Sequence, residues 1–286
     1  MTTILVTGAT GQVGRRLVPR LIQWAAEGER LRVLVRGEAA AERFTALGAE
    51  AVLGDLREES DRAKALQGVD DVVNVAAAFR GVPDEEALAV NRDAAIALGR
   101  QALEAGVRRF VQTSTNLVHG FGHGRPARAE DPLEPVPWGV YPRSKAEADT
   151  ALAELHSGHG LPLVTVRLAY VYGEGDPHLR DAVGRSADWA AHQRLPMVHH
   201  ADVAQALHRA LRTPGIEGRI YHATDDAPVS AHDIHRLAGL ALPPEAAGKQ
   251  DPNPWMGVTD NVPLRDELGW RPLYPSVWTA RDAGAL

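Results

Sequence analysis

The chain contains no cysteine. Disulfides, thiolate catalysis and cysteine-ligated zinc are therefore excluded, and any chemistry must rest on other groups. Excess positive charge is also missing: 31 Lys and Arg stand against 37 Asp and Glu, a formal net charge of -6. Broad electrostatic attraction to nucleic acid or to an anionic membrane is not expected. No apolar run reaches membrane-spanning length, and Met1-Thr2-Thr3 passes directly into Ile4-Leu5-Val6 without a charged leader, so a soluble, cytoplasmic protein is the expectation. Internal repeats and low-complexity tracts are lacking as well. What remains is ordinary globular material: 286 residues, 44% apolar and 24% charged, enough for one large core with an appended lobe.

The first half alternates short β-branched runs with amphipathic stretches. Residues 4–7, 31–35, 50–53, 72–75 and 109–112 read as buried strands, and residues 15–26, 39–47, 60–66 and 84–105 as the helices between them. That repeating unit predicts an α/β fold, a Rossmann-type doubly wound parallel sheet covered on both faces. Acids at Asp84, Glu85 and Glu86 mark a helix start, and Gly48 and Gly106 mark helix ends. Residues 119–140 hold four glycines and four prolines and predict a long functional loop. Beyond it come a helix over 144–155, a strand over 163–167, a helix over 202–211 and a strand over 220–223. Ser230 and Asp233 have capping-box spacing, and the proline-rich tail is expected to be irregular. The expected division is a Rossmann domain over 1–165 and a mixed region over 166–286 that completes the sheet and forms a smaller, trimmed lobe.

Directly after the first strand stands Thr7-Gly8-Ala9-Thr10-Gly11-Gln12-Val13-Gly14, followed by a helix. Strand, glycine turn and helix together make a pyrophosphate cradle: the backbone turns tightly, the anion approaches without a side chain in the way, and the helix amino terminus faces it. The acid that binds ribose hydroxyls at the end of the second strand in NAD enzymes is replaced by Arg36. A guanidinium pairs with a 2′-phosphate, which favours NADP(H) over NAD(H). Asp55 at the end of the third strand suits an adenine amino group, and Ala76-Ala77-Ala78 leaves room for the cofactor backbone.

Tyr141-Pro142-Arg143-Ser144-Lys145 adds the YxxxK spacing. A phenol with an ordinary pKa of about 10 is a poor acid at neutral pH. One positive charge at ~4 Å with an effective dielectric near 20 favours tyrosinate by ~4 kcal/mol, and Lys145 can lie on the same helix face. Pro142 fits only the first helical turn, so Tyr141 must open the helix.

With Asn91, Thr113-Ser114-Thr115, the segment from Arg167 to Gly173, His199 to Val203 and Leu268-Gly269-Trp270-Arg271-Pro272, the chain resembles the extended short-chain dehydrogenase/reductases, the NAD-dependent epimerase/dehydratase-like family. The resemblance implies Thr115, Tyr141 and Lys145 as the catalytic groups, with Ser114 as the alternative to Thr115. It implies cofactor contacts from Gly8, Thr10, Gly11, Gln12, Val13, Gly14, Arg36, Asp55, Leu56, Ala76, Ala77, Thr113, Leu168 and Val171, besides Tyr141 and Lys145. Asn116, His119, Trp138 and His199 are the substrate-facing candidates. No metal is expected, because the histidine pairs lack ligand company. The implied activity is ketone reduction or alcohol oxidation on a small metabolite. Epimerisation or dehydration of a sugar nucleotide through a transient ketone stands as one alternative, and a non-catalytic redox sensor as another. Only 25 residues separate Gly173 from His199, a short span that points away from a bulky nucleotide sugar. Relatives commonly dimerise through helices that follow Pro83 and Tyr141, which leaves a homodimer as an option.

Overall fold

The computed structural model describes residues 1–79 and 81–286. Strands β1 (Thr2–Thr7), β2 (Glu29–Val35), β3 (Glu50–Leu53), β4 (Asp71–Asn74), β5 (Arg109–Thr115), β6 (Leu163–Leu168) and β10 (Ile220–Ala223) form a seven-stranded sheet in the order β10-β6-β5-β4-β1-β2-β3. β1 pairs in parallel with β2 on one side and β4 on the other, and β5 runs parallel to β4. The chain order reverses at β1, which puts the first βα turn at the switch point where Rossmann-type sheets receive ligands. Two short pairs complete the strands: β7 (Tyr170–Tyr172) with β9 (Met197–His199), and β8 (Arg194–Leu195) with β11 (Val229–Ser230).

Contacts divide the chain into two compact units. The first comprises Met1–Thr115, Pro137–Arg167 and Ala206–Ile220. Its central strands β4, β5 and β6 are buried along their whole length, as strands covered on both faces must be, while β3 at the sheet edge is partly exposed. Leu5, Leu34, Val72, Phe110 and Leu163 from the strands meet Leu66, Leu98 and Leu152 from the helices in one core. The helices are α1 (Gly14–Gln23), α2 (Glu38–Ala46), α3 (Glu59–Leu66), α4 (Asp84–Leu88), α5 (Ala95–Glu104) and α6 (Val140–His159), with most of α8 (His200–Arg212). The sequence predicts a single helix over 84–105, but a π-helical turn over Ala89–Ala94 separates α4 from α5. The wider turn carries Asn91 fully inward, where its side chain bonds both the N–H and the carbonyl of Ala78.

The second unit comprises Asn116–Val136, Leu168–Gln205 and Tyr221–Leu286. It has its own core of Tyr172, Leu195, Met197, Ile234 and Val277, and it adds α7 (His178–Ser186), α9 (Ala231–Leu237), α10 (Val262–Leu268) and α11 (Val277–Asp282). Ser230 and Asp233 form the expected capping box. The tail is more regular than its prolines suggest. Trp270 is fully buried and donates to the Asp202 carbonyl, while the Asp202 carboxylate accepts from the N–H groups of Leu273 and Tyr274 at 2.6 and 3.0 Å. Among the described residues no helix is long and apolar enough to cross a membrane.

Candidate active site

The glycines of the first βα turn are set by contact rather than by flexibility alone. Gly8 has φ +71°, and a Cβ placed on it would lie 2.5 Å from the N and Cα of Ala76. A Cβ on Gly14 would lie 2.2 Å from the Gly8 carbonyl oxygen. Only glycine fits at either place, and the turn packs directly on the end of β4 while Thr10, Gly11 and Gln12 remain exposed. Arg16, in the first turn of α1, reaches back to donate to both the Gln12 carbonyl and its side-chain oxygen at 2.9 Å. The cradle would accept a pyrophosphate against uncovered backbone, so its residues fit a dinucleotide.

A buried polar network braces the strand ends beneath. Thr7 donates to Asn74, Asn74 donates to Gln112 at 2.8 Å, and Gln112 donates to the Thr113 carbonyl at 2.9 Å. Thr113 donates its hydroxyl to the Asn74 carbonyl at 2.9 Å. β1, β4 and β5 are thereby tied at the edge where a ligand would sit.

α6 supplies the phenol and the ammonium. The helix begins at Val140, and Tyr141 and Pro142 both fall in its first turn, close to the start that the sequence predicts. Lys145 is 1% exposed, and its Nζ donates to the carbonyls of Ala76 (3.3 Å) and Thr113 (3.2 Å). Burial pushes its pKa down to about 8, with the negative charge of Asp149 opposing that shift. Tyr141, Lys145 and Asp149 follow at intervals of four, so one face of α6 carries all three. The Tyr141 ring packs on Phe79, with centroids 4.5 Å apart and planes at 52°. Ser144 donates to the Tyr141 carbonyl at 2.9 Å and accepts from Asn91 at 3.3 Å.

Thr115 ends β5, buried. Its neighbour Ser114, the alternative in the catalytic position, turns away and donates to Asp149 Oδ2 at 2.9 Å. The same oxygen accepts from Arg167 Nε at 3.1 Å in an almost wholly buried ion pair. Arg36 is exposed beyond β2. Asp55 accepts both side-chain and backbone bonds from Arg57, which hold its carboxyl below the ordinary range against the effect of burial, with a lesser contribution from Arg36. Leu56 is half-buried, Ala76 buried and Ala77 exposed.

The first unit brings together the glycine turn, Ala76, Thr113 and Lys145, and it also carries Thr115, Tyr141, Arg36, Asp55 and the 53% exposed Trp138. Leu168, Val171, Asn116, His119 and His199 belong to the second unit, all buried. There Asn116 donates to the Gly257 carbonyl at 2.6 Å. The Nε2 atoms of His119 and His222 meet at 2.9 Å. Since His222 Nδ1 faces the Asp260 carbonyl, that nitrogen carries the proton, His222 Nε2 accepts and His119 donates. His199 accepts from the Ala201 N–H and donates to the Ala285 carbonyl at 2.8 Å. His178 and His200 share the buried Asp176 carboxylate at 2.7 and 2.9 Å; burial opposes its charge, but those bonds hold its pKa below the ordinary range.

The family model of the NAD dependent epimerase/dehydratase family matches residues 4–223. The chain belongs to that family. Among related members, a 4-hydroxy-2-methyl-3-oxo-4-farnesyl-3,4-dihydroquinoline-1-oxide ketoreductase of Stigmatella aurantiaca is 31% identical, the match covering 94% of this chain and 81% of that one. Solved structures share the fold. A short-chain dehydrogenase/reductase superfamily protein from Agrobacterium tumefaciens with bound NAD superposes with a TM-score of 0.79 at 21% identity, over 98% and 95% of the two chains. A Thermus thermophilus UDP-glucose 4-epimerase in complex with NAD gives 0.75 at 24% identity over the whole of both. Membership makes this an enzyme family with dinucleotide use, in keeping with the cradle. Several residues around the glycine turn and α6 carry no motif of their own. Arg16 and Arg57 are ordinary polar positions in the sequence, and only the four-residue spacing from Lys145 could have drawn attention to Asp149.

Proposed function

We propose that this protein is an NADP(H)-dependent ketoreductase acting on a small, neutral carbonyl metabolite. The observation that supports it most is the convergence on Ala76: the backbone that Gly8 must approach without a Cβ is the same backbone whose carbonyl accepts from Lys145 Nζ. Cradle and ammonium are therefore built around one residue, with Tyr141 a turn away on the same helix face. When bound, the nicotinamide supplies the two-electron reductant. The chain's own residues do the rest: Thr115 donates to the substrate carbonyl oxygen, Tyr141 delivers the proton to it, and Lys145, still charged at neutral pH, favours the phenolate left behind and binds ribose hydroxyls.

Reduction is preferred over epimerisation because of the similarity to the Stigmatella ketoreductase and the short span between Gly173 and His199. For the cofactor, no acid ends β2, the exposed Arg36 takes that place, and Asp55 is already engaged by Arg57. Those features favour a 2′-phosphate.

Calorimetric titration with NADPH and NADH, followed by a ketone panel monitored through loss of reduced-nicotinamide absorbance, tests both parts. NADPH should bind at least tenfold more tightly, and Arg36→Asp should reverse the order. Net NADPH oxidation supports the reductase. Altered sugar stereochemistry with no net oxidation would replace it by the epimerase reading. A Tyr141→Phe protein with undiminished biological activity would replace it by the sensor.

A further inference from the structure

Arg57 has no part in the cofactor contacts that the family resemblance implies, yet the loop that carries it is anchored. β1, β2 and β3 run in parallel, with Thr7 opposite Leu34 and Val35 opposite Leu53. The glycine turn, Arg36 and Gly54-Asp55 therefore leave the sheet at one edge. Gly54 donates its N–H to the Val35 carbonyl at 3.0 Å, which carries Asp55 out beside Arg36. A Cβ on Gly54 would lie 2.7 Å from the Cβ and Cγ of Asp61, and Asp61 accepts from the Asp55 N–H at 2.8 Å. Arg62, 6% exposed, donates to the Leu56 carbonyl at 2.8 Å. The two residues before Arg57 are thus tied to α3.

On that frame Asp55 fixes the direction of Arg57. Nε of Arg57 donates to both carboxylate oxygens at 3.1 Å, Nη2 donates to Oδ2 at 2.6 Å, and the backbone N–H donates to Oδ1 at 2.9 Å. An exposed ion pair of this kind contributes little to stability. Its effect is to leave one edge of a held guanidinium open: the Arg57 side chain is 41% exposed, and its Nη1 makes no hydrogen bond among the described residues. Arg36, also exposed, makes neither a hydrogen bond nor an ion pair among the described residues, although its charge reaches the Asp55 carboxyl, adding to the larger influence of the Arg57 hydrogen bond. Glu58 and Glu86 act on Arg57 more weakly than Asp55 does. Two guanidiniums accordingly flank one carboxylate, with uncommitted donors on both.

We propose that Arg57 is the second guanidinium of the NADP(H) 2′-phosphate site, with Asp55 as its positioning residue. The inference rests on the NADP(H) reading and adds to it a residue that sets cofactor preference. A phosphate dianion compensates the charge that one carboxylate leaves unmatched and accepts from the open edge of Arg57 as well as from Arg36, whereas a neutral ribose hydroxyl gains far less from either.

Calorimetry with adenosine 2′,5′-bisphosphate and adenosine 5′-monophosphate reads this site without turnover. The parent protein should bind the bisphosphate at least about tenfold more tightly, and Arg57→Ala should lower that preference by about tenfold. Arg57→Ala also bares the Asp55 charge toward the phosphate, so the substitution is repeated in Asp55→Asn, where the same loss is expected. Arg57→Lys keeps the charge without the planar fork and should recover only part of the preference. A loss seen in the parent but not in Asp55→Asn would mean that Arg57 merely neutralises Asp55, and full recovery by Arg57→Lys would mean that charge alone suffices; either result overturns the inference. If Arg36→Ala abolishes the preference while Arg57→Ala leaves it unmoved, the inference fails and the NADP(H) reading stands. A parent protein that binds the two nucleotides equally overturns the NADP(H) reading itself.

Discussion

Replacing Asp149 by Asn removes the one carboxylate that Ser114 and Arg167 share, and the consequences divide into stability and pH dependence. The Arg167 and Asp149 side chains are 2% and 4% exposed with N···O at 3.1 Å, so this is a buried pair. Deleting the charge of one partner in such a pair costs about 3 to 5 kcal/mol. A chain of this size loses roughly 2 to 4 °C of melting temperature per kcal/mol, which makes the expected drop on the order of 10 °C at neutral pH. The second effect passes along α6. Asp149 counteracts the desolvation that pulls the Lys145 ammonium toward neutrality, so in Asp149→Asn the Lys145 pKa moves below about 8, and the alkaline limb of kcat/KM moves down with it. Scanning calorimetry gives the first number and a pH–rate profile the second. A Ser114→Ala protein is the control, since it removes one hydrogen bond worth about 1 kcal/mol and leaves the charge in place. A melting temperature for Asp149→Asn within about 2 °C of the parent would refute the buried-pair argument, and an unmoved alkaline limb would refute the coupling to Lys145.

In the parent enzyme, the Lys145 ammonium is present below about pH 8 and lost above it, so kcat/KM should fall through that point; a profile flat to about two units higher would show that the charge is not required. Gly8→Ala should destabilise the fold by about 1 to 3 kcal/mol through the positive φ and the Ala76 collision, and weaken NADPH binding roughly tenfold or more. Gly158→Ala, which meets nothing within 4 Å in α6, should instead leave binding intact and raise stability slightly, so equal effects of the two would sink the argument. Burial, then the nearby charge of Asp202, raises the Asp225 carboxyl well above its ordinary range. A raised carboxyl pKa contributes stability that is full below the unfolded value and is lost as pH rises through the folded one. Asp225→Asn should accordingly gain in melting temperature relative to the parent as pH rises above the ordinary carboxylate range, and a difference independent of pH would contradict the assignment.

Local patterns carried most of the fold into view. The βα alternation, the glycine turn and the YxxxK spacing are properties of neighbouring residues, and each dictates geometry through short-range sterics or helix periodicity. Where the prediction stopped, a distant partner decides. The single helix expected over 84–105 is broken because Asn91 is drawn to Ala78, a contact no periodicity encodes. The tail is ordered because Trp270 and Asp202 meet across 68 positions. Ser114 and Thr115 are chemically near-equivalent in sequence, and what separates them is the side of β5 on which Asp149 waits. The same reasoning explains α6. Tyr141, Lys145 and Asp149 form a visible stripe at intervals of four, but a lysine followed four residues later by an acid is ordinarily an exposed helical ion pair of small energy. Burial changes its meaning: with Lys145 closed off by the carbonyls of Ala76 and Thr113, and Asp149 closed off by Ser114 and Arg167, the stripe becomes a row of buried charge on the face of α6 that also carries Tyr141.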